Sequence, residues 1–273
     1  MGPSWFKGDD PGKNGTWILQ KGPRKLATDS WDENLRRGSP AAIYSLVMSG
    51  FLLALDTGSP LVSVALARDG VVVAVRSTAQ ERSSTRLLAM VQEALDEAGI
   101  GLGDIGGVAV LRGPGSFTGL RIGLATVLGL HQATGVRATA IPTLPVLAAS
   151  AGETAPIVIA AVDALRGEWS AQAFAAGQPL GEMGLIAGPD LPRLARGGEA
   201  VVTGFGVSRL AALPDWPAAV RLVEPGPLAP TAARLAAGAE TDWNPAHLTT
   251  AIYSRPPAIT LPRPRAAAPV PVP

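Results

Sequence analysis

Apolar and polar positions alternate or run together in a readable order from residue 50 onward. FLLALD (51–56) is a short apolar run closed by an acid, and LVSVALAR (61–68) is apolar and β-branched. Asp69-Gly70 is a two-residue hairpin signal, and VVVAVRS (71–77) is the returning strand. The pattern therefore opens with three antiparallel strands. A helix follows from about Ser84 to Ala98, capped by Ser83 or Ser84 and ended by Gly99, with Leu87, Val91, Ala94, Leu95 and Ala98 on one stripe. Leu88 and Met90 lie off that stripe, so a second face is partly apolar. GVAVLR (107–112) reads as a fourth strand, 117–134 as a long helix, and 137–141 as a short strand.

An alanine-rich stretch, 146–155, separates this set from a second one. IVIAAVD (157–163), a turn at Ala164–Gly167, EWSAQAFA (168–175) and AVVTG (200–204) read as strands and turn, with short helices around 190–196, 206–212 and 229–237. Strands and helices in this order predict an α/β fold in two related lobes, 48–155 and a smaller 156–254. The ends read differently. Residues 1–47 mix Trp5, Trp17 and Trp31 with Gly, Pro, Asn and charges without a period, which predicts a disordered extension. A start at Met48, just before the first strand, is the simplest origin of such an extension, and a Trp-bearing interaction arm is the alternative. Residues 255–273 are Pro-rich and predict an extended tail.

Composition narrows the chemistry. Hydrophobic residues are 47 % and charged residues 16 % of 273, enough for a sizeable core under a lightly charged surface. A net charge of +1 gives no global field toward nucleic acid or anionic lipid. The absence of cysteine excludes disulfides, thiol nucleophiles and Cys-ligated zinc. His131 and His247 are far apart, which argues against a His-rich metal site and leaves carboxylates as the ligands for any Mg²⁺; no span long enough for a membrane and no secretion signal are present, and the cytoplasm is the default.

The most specific stretch is GPGSFTGLRIGLATVLGL, 113–130. It resembles a phosphate loop but lacks the lysine of GxxxxGK[ST], and it misses GxGxxG by one residue because the third glycine is Gly119. Gly119, Gly123 and Gly129 each cost about 1 kcal/mol against Ala within a helix. Gly119 and Gly123 share a face that would let another helix approach closely; Leu120, Leu124, Val127, Leu128 and His131 form a bulky face, and Ile122, Ala125 and Gly129 a third. One side packs on its own sheet, and the others call for a partner. An ordinary central helix covered by its own domain is the competing reading.

Other candidates are weaker. Asp56 closes the first strand in DTGSP, where it either caps turn amides or meets a Mg²⁺–phosphate. Asp163 and Glu168 flank a hairpin turn and offer an acid/base pair on paper, as Ser116 and His131 offer part of a triad, but no nucleophile-elbow or HExxH motif supports either.

LLALDTGSPLVSVALARDG, STRLLAMVQEAL, GPGSFTGLRIGLATVLGL and AVDALRGEW occur in an order and spacing that resemble the bacterial TsaB family, also called YeaZ, over about residues 50–255 and most strongly over 52–135. The resemblance implies a two-lobed actin-like ATPase fold of ribonuclease H type, with mixed sheets flanked by helices. It also implies a subunit without stand-alone activity in the machinery that makes N6-threonylcarbamoyladenosine beside the anticodon of tRNA. The implied partners are the catalytic paralogue TsaD and the ATPase TsaE, with tRNA reached through the complex and a homodimer when the chain is alone. No cofactor is implied for this chain; ATP and Mg²⁺ belong to the partner subunits. Carried onto these helices, the interface comprises Leu87, Met90, Val91, Phe117, Gly119, Leu120, Gly123, Leu124 and Val127, with Arg121 at its rim; Asp56, Thr57 and Gly58 mark a vestigial nucleotide site. The chain departs from the family in carrying Ser83 where many relatives have His, and in lacking the metal-binding histidines of the catalytic paralogue. An independent actin-like Mg-ATPase or kinase is the alternative function, and a peptidase, a label attached to related sequences, is remote.

Overall fold

A computed structural model describes residues 50–80, 83–152, 155–238 and 241–255. The expected extension 1–47 and the tail beyond Arg255 lie outside the described residues, as do the side chains of Ser83 and Ser84 that were expected to cap the first helix.

The first sheet has the order β3-β2-β1-β4-β5, from β1 (Phe51–Asp56), β2 (Leu61–Arg68), β3 (Val71–Ala79), β4 (Ile105–Leu111) and β5 (Arg137–Ile141). The hairpin strands pair antiparallel, whereas β1–β4 and β4–β5 are parallel. Asp69 and Gly70 both take positive φ, 51° and 74°, as the tight turn between β2 and β3 requires. The second sheet repeats this plan. β6 (Ile157–Asp163) is its centre, β7 (Glu168–Ala175) folds back antiparallel beside it, and β10 (Ala200–Thr203) and β11 (Val220–Val223) lie parallel on the other side. β8 (Gln178–Pro179) and β9 (Gly184–Ala187) both pair with β7.

Side-chain size sorts the two faces of the first sheet. Leu53, Leu55, Val62, Val64, Leu66 and Val110 point to one side, where α1 (Ser83–Ala98) and α2 (Phe117–Thr134) cover them. Alanines dominate the other side: Ala54, Ala65, Ala67 and Ala109. There α4 (Ala229–Ala236) brings Ala229, Ala232, Ala233 and Ala236, so that small residues meet small residues and the helix sits close. α3 (Thr143–Ser150) joins this layer and packs on β6 and β7, so both helices lie between the sheets. The far face of the second sheet buries Trp169, Leu191, Val202 and Leu210 under 3-10 segments at Gly188–Ala195 and Val207–Ala212.

Several expectations need correcting. The alanine-rich stretch read as the lobe boundary begins inside α3, whose Leu144, Val146 and Leu147 are all buried; eight residues apolar on most sides carry no period to read. Two of the short helices are 3-10, one of them interrupted by Pro192. The second lobe expected over 156–254 does not keep all of its chain. α4 lies on the first sheet, tied by Ala229 N–H donating to Ser63 Oγ at 3.1 Å. The segment that follows continues there: Thr139 Oγ1 donates to the Asp242 carbonyl at 2.7 Å, and Ile252 N–H to the Arg112 carbonyl at 2.7 Å.

Candidate functional site

The β1–β2 turn and the loop before α2 are built into one another. The Asp56 carboxylate accepts from the amides of Gly58 at 3.0 Å and Ser59 at 3.2 Å, which folds DTGSP into a tight cap. The Ser116 amide donates to the Gly58 carbonyl at 2.8 Å, and the Ser116 hydroxyl caps α2 by accepting from Gly119 N–H. Close approach explains the glycines. A Cβ on Gly115 would stand 2.8 Å from the Gly58 carbonyl oxygen. One on Gly119 would fall on the Thr57 carbonyl, and one on Gly123 on Thr57 Oγ1, with Val110 Cγ2 at 3.1 Å. The small face of α2 therefore receives Thr57 of its own chain, not a partner helix. Beside Gly129, in contrast, there is open space.

Asp56 and Thr57 are wholly buried, and Asp56 Oδ2 and Thr57 Oγ1 have no hydrogen-bond partner among the described residues. Burial pushes the Asp56 carboxyl up to about 6 against the lowering effect of its bonds to Ser59 and Gly58. Of the three residues expected to mark a vestigial nucleotide site, Gly58 alone reaches the cleft between the lobes.

That cleft has a volume of about 890 Å³ and is walled by Ser59, Gln80 and Pro114–Thr118 on one side, Asp163–Arg166 and Phe205 on the other, and by Tyr253–Arg255. The resemblance to ATPases raises the question of a Mg²⁺–nucleotide, and these residues do not fit one. The chain has no lysine after Lys25. The one carboxylate in the wall, Asp163, is occupied: Oδ1 accepts from Leu165 N–H at 2.7 Å, and Oδ2 pairs with Arg209 at 2.7 Å. Among the described residues no three His, Asp or Glu side chains cluster as metal ligands would. Asp163 and Glu168 do not act together either, because Glu168 pairs with Arg255. Ser116 and His131 stand at opposite ends of α2, about 22 Å apart along its axis.

The residues expected at a partner interface separate into two groups. Leu87, Met90, Val91, Leu120, Leu124 and Val127 are buried, as are Gly119 and Gly123, so eight of the ten expected contacts are interior. Their stripe faces the chain's own first sheet, as the apolar stripe of an amphipathic helix does. Phe117, 40 % exposed, and Arg121 are at the surface. The outer face of α2 runs through Thr118, Arg121, Ala125, Gly129 and Gln132, with Ile122 and Leu128 half-buried along its edges. Leu88 of α1 is 65 % exposed. The third face of α2, Ile122, Ala125 and Gly129, was the readable signal for this surface; no local pattern placed Tyr253 beside it. Its ring lies 5.0 Å from that of Phe117, and its hydroxyl accepts from Arg121 Nε at 3.3 Å.

Comparison with known proteins agrees with this architecture. Residues 69–190 match the TsaD family, described as tRNA N6-adenosine threonylcarbamoyltransferase. The tRNA threonylcarbamoyladenosine biosynthesis proteins TsaB of Escherichia coli and Haemophilus influenzae are 40 % and 39 % identical to it over 119 residues, 43 % of this chain. The chain spans about half the length of these curated relatives, 52 % and 50 %. Two solved Pseudomonas aeruginosa structures each cover 68 % of the chain. One is an uncharacterized protein with similarity to peptidase YeaZ, 30 % identical, matched over 90 % of its length with a TM-score of 0.58. The other is YeaZ, 31 % identical, matched over 92 % with a TM-score of 0.56. Their likeness carries the two-lobed, actin-like α/β fold through both sheets. The chain belongs to the TsaB (YeaZ) family.

Proposed function

We propose that the protein is the dimerisation subunit of the machinery that forms N6-threonylcarbamoyladenosine in tRNA, a scaffold that pairs with and activates a TsaD-type catalytic paralogue in the cytoplasm. TsaE joins that pair, tRNA is reached through the complex, and the isolated chain self-associates through the same face. The names of the Escherichia coli and Haemophilus influenzae relatives support the pathway.

The observation that carries the pairing is the outer face of α2. Across 18 residues this helix has one permanently charged side chain, Arg121, and its outermost positions include Ala125 and Gly129. A surface helix of a monomer ordinarily turns charges outward. Here small and apolar groups face outward, and Gly129 leaves room for a neighbouring backbone. The contact set accordingly moves one face round the helix, keeping Phe117 and Arg121 and replacing the buried positions with Leu88, Thr118, Ala125 and Gly129.

Co-purification with the TsaD-type paralogue tests this, comparing wild type with Ala125→Glu. Ala125 is exposed, so the variant should melt like wild type and fail to pair. A heterodimer that survives Ala125→Glu removes the α2 face from the proposal. Tight Mg-ATP binding with turnover by the isolated chain would favour the independent ATPase instead.

A further inference from the structure

Arg121 is held in place before any partner arrives. Its guanidinium lies 3.9 Å from the centre of the Phe117 ring, and its Nε donates to Tyr253 Oη at 3.3 Å. The Phe117 and Tyr253 rings are 5.0 Å apart at 37°. Tyr253 is fixed in turn, because the residue before it bonds to Arg112 and the ion pair of Arg255 with Glu168 follows two residues later. With Nε used inward, Nη1 and Nη2 are left over: neither has a hydrogen-bond or ion-pair partner among the described residues. Two parallel N–H donors at the end of a planar fork match the two oxygens of a carboxylate. Holding the side chain in advance also lowers the rotamer entropy lost on binding.

We propose that Phe117, Arg121 and Tyr253 form a preorganised receptor for one carboxylate of the partner subunit, an Asp or Glu that docks beside the small residues Ala125 and Gly129. The inference rests on the pairing reading above and adds the chemistry the partner must bring. A protein carboxylate fits better than an RNA phosphate because Arg121 is the one permanently charged residue of α2 and Arg255, beyond Tyr253, is paired with Glu168, whereas binding a nucleic-acid backbone draws on several cations. Arg121 serves the contact directly; Tyr253 is a positioning residue that acts through it.

The test is titration calorimetry of the full chain against the TsaD-type paralogue at low and high salt, with Arg121→Ala, Arg121→Lys and Tyr253→Phe. Arg121→Ala should weaken pairing roughly tenfold or more and flatten its salt dependence. Arg121→Lys keeps the charge and loses the fork, so it should fall between. Tyr253→Phe keeps the ring and loses the acceptor, and should weaken pairing roughly threefold while leaving the salt dependence in place. All three should melt like wild type. Wild-type affinity and salt dependence in Arg121→Ala would overturn the inference and leave the pairing reading standing. Loss of tRNA binding by the assembled complex with pairing intact would overturn it in favour of phosphate. A wild-type chain that does not pair at all removes both.

Discussion

The inner and outer faces of α2 use the same residue type for opposite purposes. Gly119 and Gly123 are buried because the β1–β2 turn enters the space where their side chains would be. Gly129, on the other side of the helix, has nothing within reach of an added methyl group. A glycine in a helix is a cost wherever it sits, and what offsets the cost is legible only from what fills the space beside it. On the inner face the chain itself fills it. On the outer face no described residue does, and that difference is where intramolecular packing stops and the proposed partner begins.

The largest effect is expected on the inner face. Gly123→Leu places a branched side chain against Thr57 Oγ1 and Val110, both wholly buried. The expected loss of stability is about 4 kcal/mol or more, and about 2–3 kcal/mol for Gly123→Ala after the gain in helix propensity. Urea unfolding measures both. A Gly123→Leu chain as stable as wild type would show that Thr57 can withdraw, and the distinction between the two faces would lose its basis.

Acid titration sharpens the same face from the turn that fills it. Asp56 is buried beneath that turn with its folded pKa raised to about 6, above the usual carboxylate value of 3.8. The folded chain therefore holds a proton that the unfolded chain has released between about pH 4 and 6. The contribution is fully present below pH 4 and is lost as pH rises through 6, by about 3 kcal/mol. Asp56→Asn removes the titrating group. Melting temperatures followed from pH 4 to 7 should fall in wild type relative to Asp56→Asn, and parallel curves would count against a dry carboxyl at this position.

How much of this was readable follows from which interactions are local. β1 to β5, α1 and α2 were written in hairpin chemistry, apolar runs and caps, all of short range. The Asp69-Gly70 turn and the ends of α2 at Phe117 and Thr134 needed nothing from elsewhere in the chain. α3 escaped because it is short and buried on most sides, and the segments at Gly188–Ala195 and Val207–Ala212 were read as short helices without their 3-10 winding. The return of α4 to the first sheet depends on alanines meeting alanines across at least 120 residues, a match of size that no local pattern encodes. The site followed the same rule. Gly119 and Gly123 were identified as a close-approach face, but the sequence could not say that Thr57, more than 60 residues earlier, was the visitor. Arg121 was visible as a rim charge; its clamp by Tyr253 spans 132 residues.

The smallest effect is the most discriminating. Gly129→Ala adds one methyl group where the free chain has room for it, so the helix should gain up to about 1 kcal/mol from propensity alone. At dilutions where the isolated protein is monomeric the substitution is therefore expected to raise the urea midpoint, the reverse of Gly123→Ala on the other face. If the outer face closes on a partner helix, the same methyl group occupies space the partner needs, and overpacking should weaken the heterodimer as it stabilises the subunit. Neither a folding defect nor a general loss of surface complementarity produces opposite signs in one variant. A Gly129→Ala chain that gains stability and pairs as wild type does would place the partner elsewhere on the molecule. One that loses stability would mean that α2 is covered by its own chain on every side.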